Sequence, residues 1–508
     1  MPQHPFFDRS FSRSSKARNA EQTIPFVQKS LEKNLQWIQD EFHTMPDLQI
    51  KRFITNQGIN AAVIYFEEIS DKMMIFNDII NQLVQQGSSV QQIQSSTVIA
   101  NKGENTSSLI DVEQAVLKGK STLFIEGLSS AYVFDTADFP IRNIEEPNVE
   151  RTIKGSHDGF VESHGKNIAL LRKYLPSRQL KIKQMKVGKR GEIKVSLMYL
   201  EDVTRPEILQ ELERRISQID IDVIINIGEL QQLISDNKFT VLPQFLETER
   251  PGTAAMEILD GRVAIIMDRS PSVLIAPIHF IGFLKTKDDY NINWIIASFV
   301  RFLRYISLAV GILLPAFYIA TISMHFEVIP LKLLLSIGES RERVPFPPLL
   351  EALLMEFALE MLREAGLRLP TSIGQTVSIV GGIVIGQAAV QAGVVSNIMV
   401  IVVSLTAICS FIIPYYDMSA AVRIIRFPMM LLAYLFGYVG ISVGIMFLLI
   451  HIISMNSIGV PYGLPVTPIR LYDWKDAFFK LPQRFLTTRP DSARPIQKRK
   501  SQLSKRGR

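Results

Sequence analysis

The sequence of 508 residues contains a single cysteine, Cys409. One cysteine cannot form an intrachain disulfide, and it excludes a metal site built from several cysteines. Cys409 lies inside a long apolar run, which indicates a packing role.

Charged residues are missing from two long stretches. Residues 369–416 are 48 residues without Asp, Glu, Lys or Arg, and residues 427–469 are another 43. A soluble fold has no need of such stretches, whereas a helix that crosses a bilayer needs about 20 apolar residues. The sequence therefore predicts that the C-terminal third lies in lipid.

The first twenty residues also lack an apolar core of the kind that a secretory signal needs, because they are basic and rich in serine. We therefore expect the first ~290 residues to stay in the cytosol. By composition, residues 1–25 and the chain beyond about Arg489 are expected to be disordered.

The apolar runs predict four spans, at about residues 305–324, 375–393, 397–413 and 428–454, with a kink at Pro315. Arg301 and Arg304 are expected to snorkel to the interface before the first span. Residues 470–508 carry a net charge of +9, and positive charge beside a span stays cytoplasmic. Both termini should therefore be cytosolic, with a transmembrane domain over 291–470 and a basic tail over 471–508. Directly after a span we expect such a tail to bind membrane lipid rather than nucleic acid, which is the alternative for a basic segment.

Residues 348–369 follow a helical period but are too charged for a free-standing span. Apolar residues lie on one face, and Glu356, Glu360 and Arg363 lie on another. We expect this helix at the membrane interface, or partly inserted and packed on protein.

The soluble half repeats itself in sequence. Residues 63–69 resemble residues 197–203, and residues 117–126 resemble residues 259–268. Each first segment predicts a strand followed by a helix that begins at Ser70 or Thr204, and each second segment predicts a helix and a β-hairpin. The expected fold is an α/β cytosolic region of two related α/β domains, 26–145 and 146–290, followed by an all-α polytopic transmembrane domain.

Motifs for catalysis or cofactor binding are absent. Lys120 and Ser121 follow Gly119 as in a phosphate-binding loop, but position 114 is Gln where that loop requires Gly. His157 and His164 are seven residues apart, which fits no standard metal site. We expect neither an enzyme nor a bound cofactor or metal.

The membrane half contains sequence motifs that resemble those of a known family. Its blocks are VPFPP at 344–348, LREAGLRLP at 362–370, IGQ at 373–375, VSIVGG at 377–382, VIGQAA at 384–389, and RFP at 426–428. They resemble the A-subunit family of GerA-type spore germinant receptors. The resemblance implies a receptor in the spore inner membrane, with a transporter-like B subunit, a lipoprotein C subunit, and A subunits in a ring, pentameric by resemblance, that forms a nutrient-gated ion channel.

Helix 375–393 has two different faces at 100° per residue. The small or polar face, suited to helix packing between subunits, comprises Gln375, Ser378, Gly382, Gly386, Ala389 and Gly393. The opposite face, which would line a pore, comprises Val380, Val384, Gln387 and Gln391. On this hypothesis the valines form a dewetting gate; the alternative is that all of these residues only pack helices.

Two further features bear on assembly. Glu356 and Glu360 could form a cation-attracting carboxylate ring, or simply the polar face of an interfacial helix. Gly440 and Gly444 form a second small-residue packing pair. A scaffold that docks the B and C subunits, or a secondary transporter, remains an alternative to a channel.

Overall fold

The computed structural model describes residues 25–85, 103–139, 156–369, 382, 384–470 and 473–500 of the chain. The chain divides into two compact units, Met1–His43 with Asp47–Phe139, and Thr44–Pro46 with Pro140–Arg508. The predicted boundary at residues 144–148 and the segment 1–24 lie outside the described residues.

The first unit is built on a five-stranded antiparallel sheet. Its strands are β1 Leu48–Ile54, β2 Asn60–Phe66, β3 Glu104–Thr106, β4 Ser121–Ile125 and β5 Ala131–Phe134. Their spatial order is β1-β2-β4-β5-β3. Its helices are α1 Leu31–Glu41, α2, which runs through Lys72–Met74, a π-helical Ile75–Ile80 and Asn81–Val84, and α3 Leu109–Leu117. Strand β4 is buried along its whole length, so the sheet is the centre of this unit.

The second unit begins with a sheet of the same design. Its strands are β6 Leu180–Val187, β7 Ile193–Leu200, β8 Leu246–Thr248, β9 Val263–Met267 and β10 Val273–Ala276. Their order is β6-β7-β9-β10-β8, again antiparallel. Helices α4 to α7 are His164–Tyr174, Pro206–Ser217, Ile227–Ile234 and Pro251–Leu259.

The sequence repeat falls on equivalent places in the two sheets. Gly119 and Gly261 each follow a helix and adopt positive φ, 84° and 98°. A Cβ on Gly119 would lie 2.6 Å from the carbonyl oxygen of Ile69, and one on Gly261 would lie 3.2 Å from the side chain of Val203. Both the left-handed conformation and the close approach favour glycine. The same turn therefore packs on the same strand end in both sheets.

The predicted N-terminal caps of the helices after the repeated strands, Ser70 and Thr204, are each wrong by one residue, because the caps are Asp71 and Arg205. The N-cap of α2 is Asp71, whose carboxylate accepts a hydrogen bond from the backbone N–H of Met74 at 3.0 Å. Ser70 instead donates its hydroxyl to the carbonyl oxygen of Gly119 at 2.8 Å. Helix α5 begins at Pro206, a residue well suited to the first helical turn.

The described residues of the second unit beyond its sheet are mainly helical. Its helices are α8 Asp288–Asn291, α9 Trp294–Met324, α10 Leu331–Arg341, α11 Pro348–Arg368, a helical stretch over 384–391, α12 Asn397–Ile412, α13 Tyr416–Ser454 and α14 Trp474–Ala477. A short ladder pairs β11 Asn456–Ser457 with β12 Val460–Pro461. By length and composition α9 and α13 could each cross a membrane, and α12 is a shorter apolar helix. Helix α9 begins about ten residues before the predicted span and contains Pro315.

Helix α13 reverses direction at Gly437. This residue has φ 59° and ψ −139°, a conformation essentially restricted to glycine. A Cβ on Gly444 would touch the sulfur of Met429, and a Cβ on Gly440 would touch the carbonyl of Leu432. Residues 429 and 444 would lie about 22 Å apart on a straight helix, so α13 is a hairpin with arms 416–436 and 438–454.

The helical bundle has two ends, named here by their contacts. At the base, beside the second sheet, the rings of Phe283 and Tyr415 lie 6.0 Å apart, and Thr240 Oγ1 is 2.8 Å from His451 Nε2. At the far end, the ring of Tyr438 stacks on His325 at 4.5 Å. The start of α9, the start of α13 and the end of α13 therefore all lie at the base.

The C-terminal segment packs on the second sheet domain, so the expectation of disorder beyond Arg489 is wrong for residues up to 500. The backbone N–H of Ile496 donates to the carbonyl oxygen of Val203 at 2.8 Å. Arg205 donates to the carbonyl oxygen of Arg494 at 2.7 Å, and Lys500 pairs with Asp260 at 2.9 Å. At least one basic residue of the predicted tail, Lys500, therefore forms an ion pair with the second sheet domain.

Candidate functional site

The segment that contains the predicted pore helix ends in a tight turn. Residues 384–391 are helical, and Gly393 follows with φ 68°. A Cβ on Gly393 would lie 2.9 Å from the carbonyl oxygen of Arg343, so this position requires glycine for both space and backbone conformation. Ser396 then caps α12 by accepting a hydrogen bond from the N–H of Met399 at 3.3 Å.

A buried carboxylate holds this turn in place. Glu351 is fully buried on α11, and its Oε2 accepts a hydrogen bond from the backbone N–H of Ser396 at 3.0 Å. Its other oxygen pairs with Arg341 of α10 at 2.8 Å. Because a buried charge needs both a counter-charge and hydrogen bonds, the turn, α10 and α11 are fixed to one another.

The small-residue face of the predicted pore helix contacts its own chain. Gly386 is buried, and a Cβ there would lie 3.5 Å from Val400 of α12. Ala389 packs against the same core. A Cβ on Gly382 would meet no atom within 4 Å, and Gln375 and Ser378 lie outside the described residues.

The opposite face is open. Val384 is 55% exposed, and Gln387 and Gln391 are also exposed. Val380, the fourth member of the predicted pore face, lies outside the described residues. Three of the four side chains predicted to line a pore are thus exposed on the surface of the isolated chain.

Glu356 forms an ion pair in the middle of the bundle. Its carboxylate pairs with Arg426 of α13 and accepts a hydrogen bond from Thr406 Oγ1 of α12 at 3.2 Å. Arg426 also donates to the carbonyl oxygen of Gly311 of α9 at 2.7 Å and to Ser410 Oγ at 3.1 Å. One carboxylate and one guanidinium therefore join four helices.

The two members of the predicted carboxylate ring differ in their exposure and in their partners. Glu356 is only 5% exposed, and its charge is balanced by Arg426 within the same chain. Glu360 lies one turn later, contacts Arg423 at 3.2 Å, and keeps 44% of its side chain exposed. Of the two, Glu360 is the carboxylate that an ion outside the chain could approach.

Gly440 and Gly444, the second predicted packing pair, contact the first arm of the hairpin. Their neighbours are Leu432 and Met429 of the same helix. The pair therefore packs one arm of α13 on the other.

A second charged cluster lies at the base of α9. Asp289 is almost fully buried and pairs with Arg304 at 2.9 Å and Arg301 at 3.2 Å. Burial acts to raise the pKa of Asp289, but the hydrogen bond and the charges of the two arginines outweigh it and hold the pKa below its usual value. Arg301 also reaches Asp476 at 3.2 Å. The predicted snorkelling of Arg301 and Arg304 is therefore wrong, since both are buried against protein.

Sequence reasoning missed the partners of these carboxylates. The sequence alone gives no buried partner for Arg426, which stands between two apolar runs, or for Arg341. The available signal was the need of any buried carboxylate for a counter-charge, which makes the few arginines between apolar runs candidate partners for Glu351 and Glu356. Gly437 was missed because a single glycine in an apolar run usually continues a helix.

The two sheet domains contain no catalytic arrangement of side chains among the described residues. His164 Nε2 lies 2.9 Å from Ser196 Oγ, but Ser196 is fully buried in β7, where no substrate could reach it. Burial lowers the pKa of His164. No group of three or more metal-ligating side chains occurs in the part of the chain that the structure describes.

Comparison with known proteins decides the family. A family model described as Bacillus/Clostridium GerA spore germination protein matches residues 36–492. The chain belongs to the GerA spore germination protein family. Membership confirms the resemblance of the membrane motifs and supports a role in spore germination.

Two relatives that are similar over most of their length are spore germination proteins. Spore germination protein GerLA of Bacillus cereus is 37% identical over 461 residues, which is 89% of this chain and 94% of that protein. Spore germination protein KA of Bacillus subtilis (strain 168) is 38% identical over 473 residues, 92% of this chain and 87% of that protein. The crystal structure of the N-terminal domain of the A subunit of the Bacillus megaterium germinant receptor GerK3 is 24% identical, covers 51% of this chain and 98% of that one, and has a TM-score of 0.39.

Proposed function

We propose that this GerA-family chain is the A subunit of a germinant receptor. Copies of it assemble in a ring as a nutrient-gated ion channel of the spore inner membrane, together with a B and a C subunit. In this proposal two cytosolic α/β domains, 26–145 and 146–290, precede a transmembrane domain over 291–470 and a cytosolic tail over 471–508. The exposed side chain of Val384, opposite the buried Gly386, is the observation that carries the proposal.

The contacts at the two ends of the bundle support a six-pass topology rather than the four spans expected from the apolar runs. Helix α9 leaves the base, and α11 and α12 return to it, since Leu367 and Pro414 line one cavity with Glu247 of the second sheet domain. The two arms of α13 leave and return. In this proposal the chain between α11 and α12 supplies the remaining pass. The arms 416–436 and 438–454 would be about 31 Å and 25 Å long, close to the ~30 Å of a hydrocarbon core. An even number of passes keeps both termini on the cytosolic side.

The ion pairs allow α11 to cross the membrane although it contains charged residues. Glu351 pairs with Arg341, and Glu356 pairs with Arg426. A charge within a membrane is tolerated when it faces the bundle interior and is paired. This arrangement favours an inserted α11 over an interfacial one.

The open face of the pore helix favours a channel over a scaffold. With the small residues packed inward, a ring could place Val384 as an apolar constriction and Gln387 and Gln391 as a polar mouth. A scaffold has no need of an exposed face on which the apolar Val384 is followed by the amides of Gln387 and Gln391. In this proposal nutrient binding widens the constriction at Val380 and Val384 and lets cations pass.

Ion flux from vesicles reconstituted with the purified chain tests the proposal. Val384→Ala should widen the constriction and raise basal potassium efflux several-fold over the unchanged protein. Ile401→Ala is the matched control, because Ile401 is an exposed apolar side chain on α12 outside the predicted pore face. Equal efflux from the two variants, with no lowered nutrient threshold in spores that carry Val384→Ala, would reject the pore assignment and favour the scaffold.

A further inference from the structure

The N-terminus of helix α7 lacks the partners that a helix end normally has. Its first residue, Pro251, has no backbone N–H, and the N–H of Gly252 donates no hydrogen bond among the described residues. No side chain caps this helix by a hydrogen bond either. The positive end of the α7 dipole is therefore open to an anion.

Arg250, the residue just before α7, is a buried guanidinium with an unused donor. Only 6% of its surface is exposed, and its Nη2 has no hydrogen-bond partner in the described part of the chain. Its Nη1 donates to the carbonyl oxygen of Ser156 at 3.4 Å, a long hydrogen bond to an uncharged group. Because a buried charge without a counter-charge is costly, this guanidinium indicates a place for an anion.

Lys287 brings a second cation to the same place. A Cβ on Gly252 would touch its ammonium, which therefore lies against the first turn of α7. Burial lowers the pKa of Lys287, and the charge of Arg250 lowers it further, so the two cations lie close together. They repel one another at the positive end of a helix, and an anion between them would stabilise the arrangement.

The carboxylates around this cluster do not neutralise it directly. Asp158 and Asp288 act to raise the pKa of Lys287, but neither forms an ion pair with the two cations among the described residues. Asp158 interacts instead with α4, where it lies 3.8 Å from Lys173 Nζ and accepts a hydrogen bond from the hydroxyl of Tyr174 at 3.3 Å. The cluster is thus left without a carboxylate in contact.

We propose that Arg250, Lys287 and the N-terminus of α7 form a binding site for a phosphate group. They supply a guanidinium, an ammonium and a backbone N–H, and a tetrahedral oxyanion has enough oxygens to accept from all three, whereas a carboxylate has two. The site lies where the second sheet domain meets the helical bundle, because Glu247 and Thr248 line one cavity with Pro414. Both a lipid headgroup and a free phosphate can reach such a position.

Inorganic phosphate, titrated against the full chain in a detergent without phospholipid, tests the site. Millimolar phosphate should raise the melting temperature of the unchanged chain by a few degrees, because a ligand that binds only the folded state stabilises it. Sodium chloride at equal ionic strength should not. Lys287→Gln should weaken phosphate binding at least about tenfold. Lys238→Gln, at an exposed lysine without an ion pair among the described residues, is the matched control and should bind phosphate as the unchanged chain does.

Gly252→Asp is a second variant, in which no cation is removed. Its carboxylate would enter the first turn of α7 beside Lys287, whose flexible end can move aside, and would take the place of the anion. Without phosphate, this variant should melt at a higher temperature than the unchanged chain, and phosphate should give no further rise. No response to phosphate in the unchanged chain, or an equal response in the unchanged chain, Lys287→Gln and Gly252→Asp, would overturn the site.

The same titration in phospholipid nanodiscs identifies the source of the phosphate group. If a lipid headgroup occupies the site, the unchanged chain should respond to inorganic phosphate in detergent but not in nanodiscs. If the ligand is a free phosphate, the response should be the same in both. Either result supports the site, and the two differ only in what fills it in the membrane.

Discussion

Met429 and Gly444 are in contact although fifteen positions separate them within a single run of helical residues. Only a reversal of the chain can bring them together, and Gly437 is the residue at which the backbone leaves helical geometry. A tip with one non-helical residue leaves no room for a side chain, because a Cβ on Gly437 would touch the ring of His325.

We expect Gly437→Ala to destabilise the protein strongly. Alanine is strained at φ 59° and ψ −139° by about 1–3 kcal/mol, before the clash with His325 is counted. Gly338→Ala is the control, because its added Cβ would meet no atom within 4 Å inside α10, and alanine favours a helix by about 0.5–1 kcal/mol. In detergent, the melting temperature of Gly437→Ala should be lower than that of the unchanged protein, and the melting temperature of Gly338→Ala should be higher. Similar melting temperatures would contradict the hairpin.

Glu356→Gln should destabilise the helical bundle. It leaves Arg426 buried without its counter-charge, and removal of one partner of a buried pair costs about 3–5 kcal/mol. Glu364→Gln on the same helix removes an exposed pair with Arg368, which is worth about 0.3–0.5 kcal/mol. Denaturant or thermal unfolding in detergent measures the difference, and a loss of stability no larger for Glu356→Gln than for Glu364→Gln would refute the buried pair.

Asp289→Asn should loosen the base of α9. Both Arg301 and Arg304 lose their shared carboxylate, so a cost of about 3–5 kcal/mol is expected. Asp288→Asn is the adjacent control, since no ion pair to Asp288 occurs among the described residues. Hydrogen exchange at residues 294–305 should speed up in Asp289→Asn and stay unchanged in the control. Equal protection in both variants would rule out this role for Asp289.

The stability of the second sheet domain should fall on acidification because of His279. Burial, and then the charges of Arg262 and Lys285, hold the pKa of His279 well below its usual 6.5. Its Nδ1 accepts a hydrogen bond from Arg262 at 3.2 Å, which requires the neutral ring. As the pH falls below about 6.5, the unfolded chain binds a proton that the folded chain refuses, so the free energy of unfolding decreases until the folded pKa is reached.

His279→Asn keeps a hydrogen-bond acceptor near the position of Nδ1 but cannot titrate. The melting temperature of this variant should therefore depend less on pH between about 6.5 and 4.5 than that of the unchanged protein. His157→Asn, at an exposed position, is the control. If both variants show the slope of the unchanged chain, another group is responsible.

Local patterns predicted much of this fold. The repeat places Gly119 and Gly261 at equivalent turns, and α12 begins at the predicted Asn397, because hydrophobic period and glycine turns are properties of neighbouring residues. The missed features depend on distant partners. From the sequence, Arg301 looks like a snorkelling residue, because its partners Asp289 and Asp476 are placed beside it only by the fold. Glu356 likewise looks like a surface carboxylate, because its partner Arg426 belongs to the distant helix α13. A charge count along the chain carries no information about such pairs.

The contact between Arg301 and Asp476 has a consequence for biosynthesis. Both side-chain oxygens of Asp476 are used, by Arg301, by Lys285 and by the hydroxyl of Tyr290. All three partners leave the ribosome some 170 residues or more before Asp476 does. The base of α9 therefore stays incompletely neutralised until the chain has been synthesised past Asp476, and a product truncated before that residue would carry exposed basic groups that quality-control proteases could recognise.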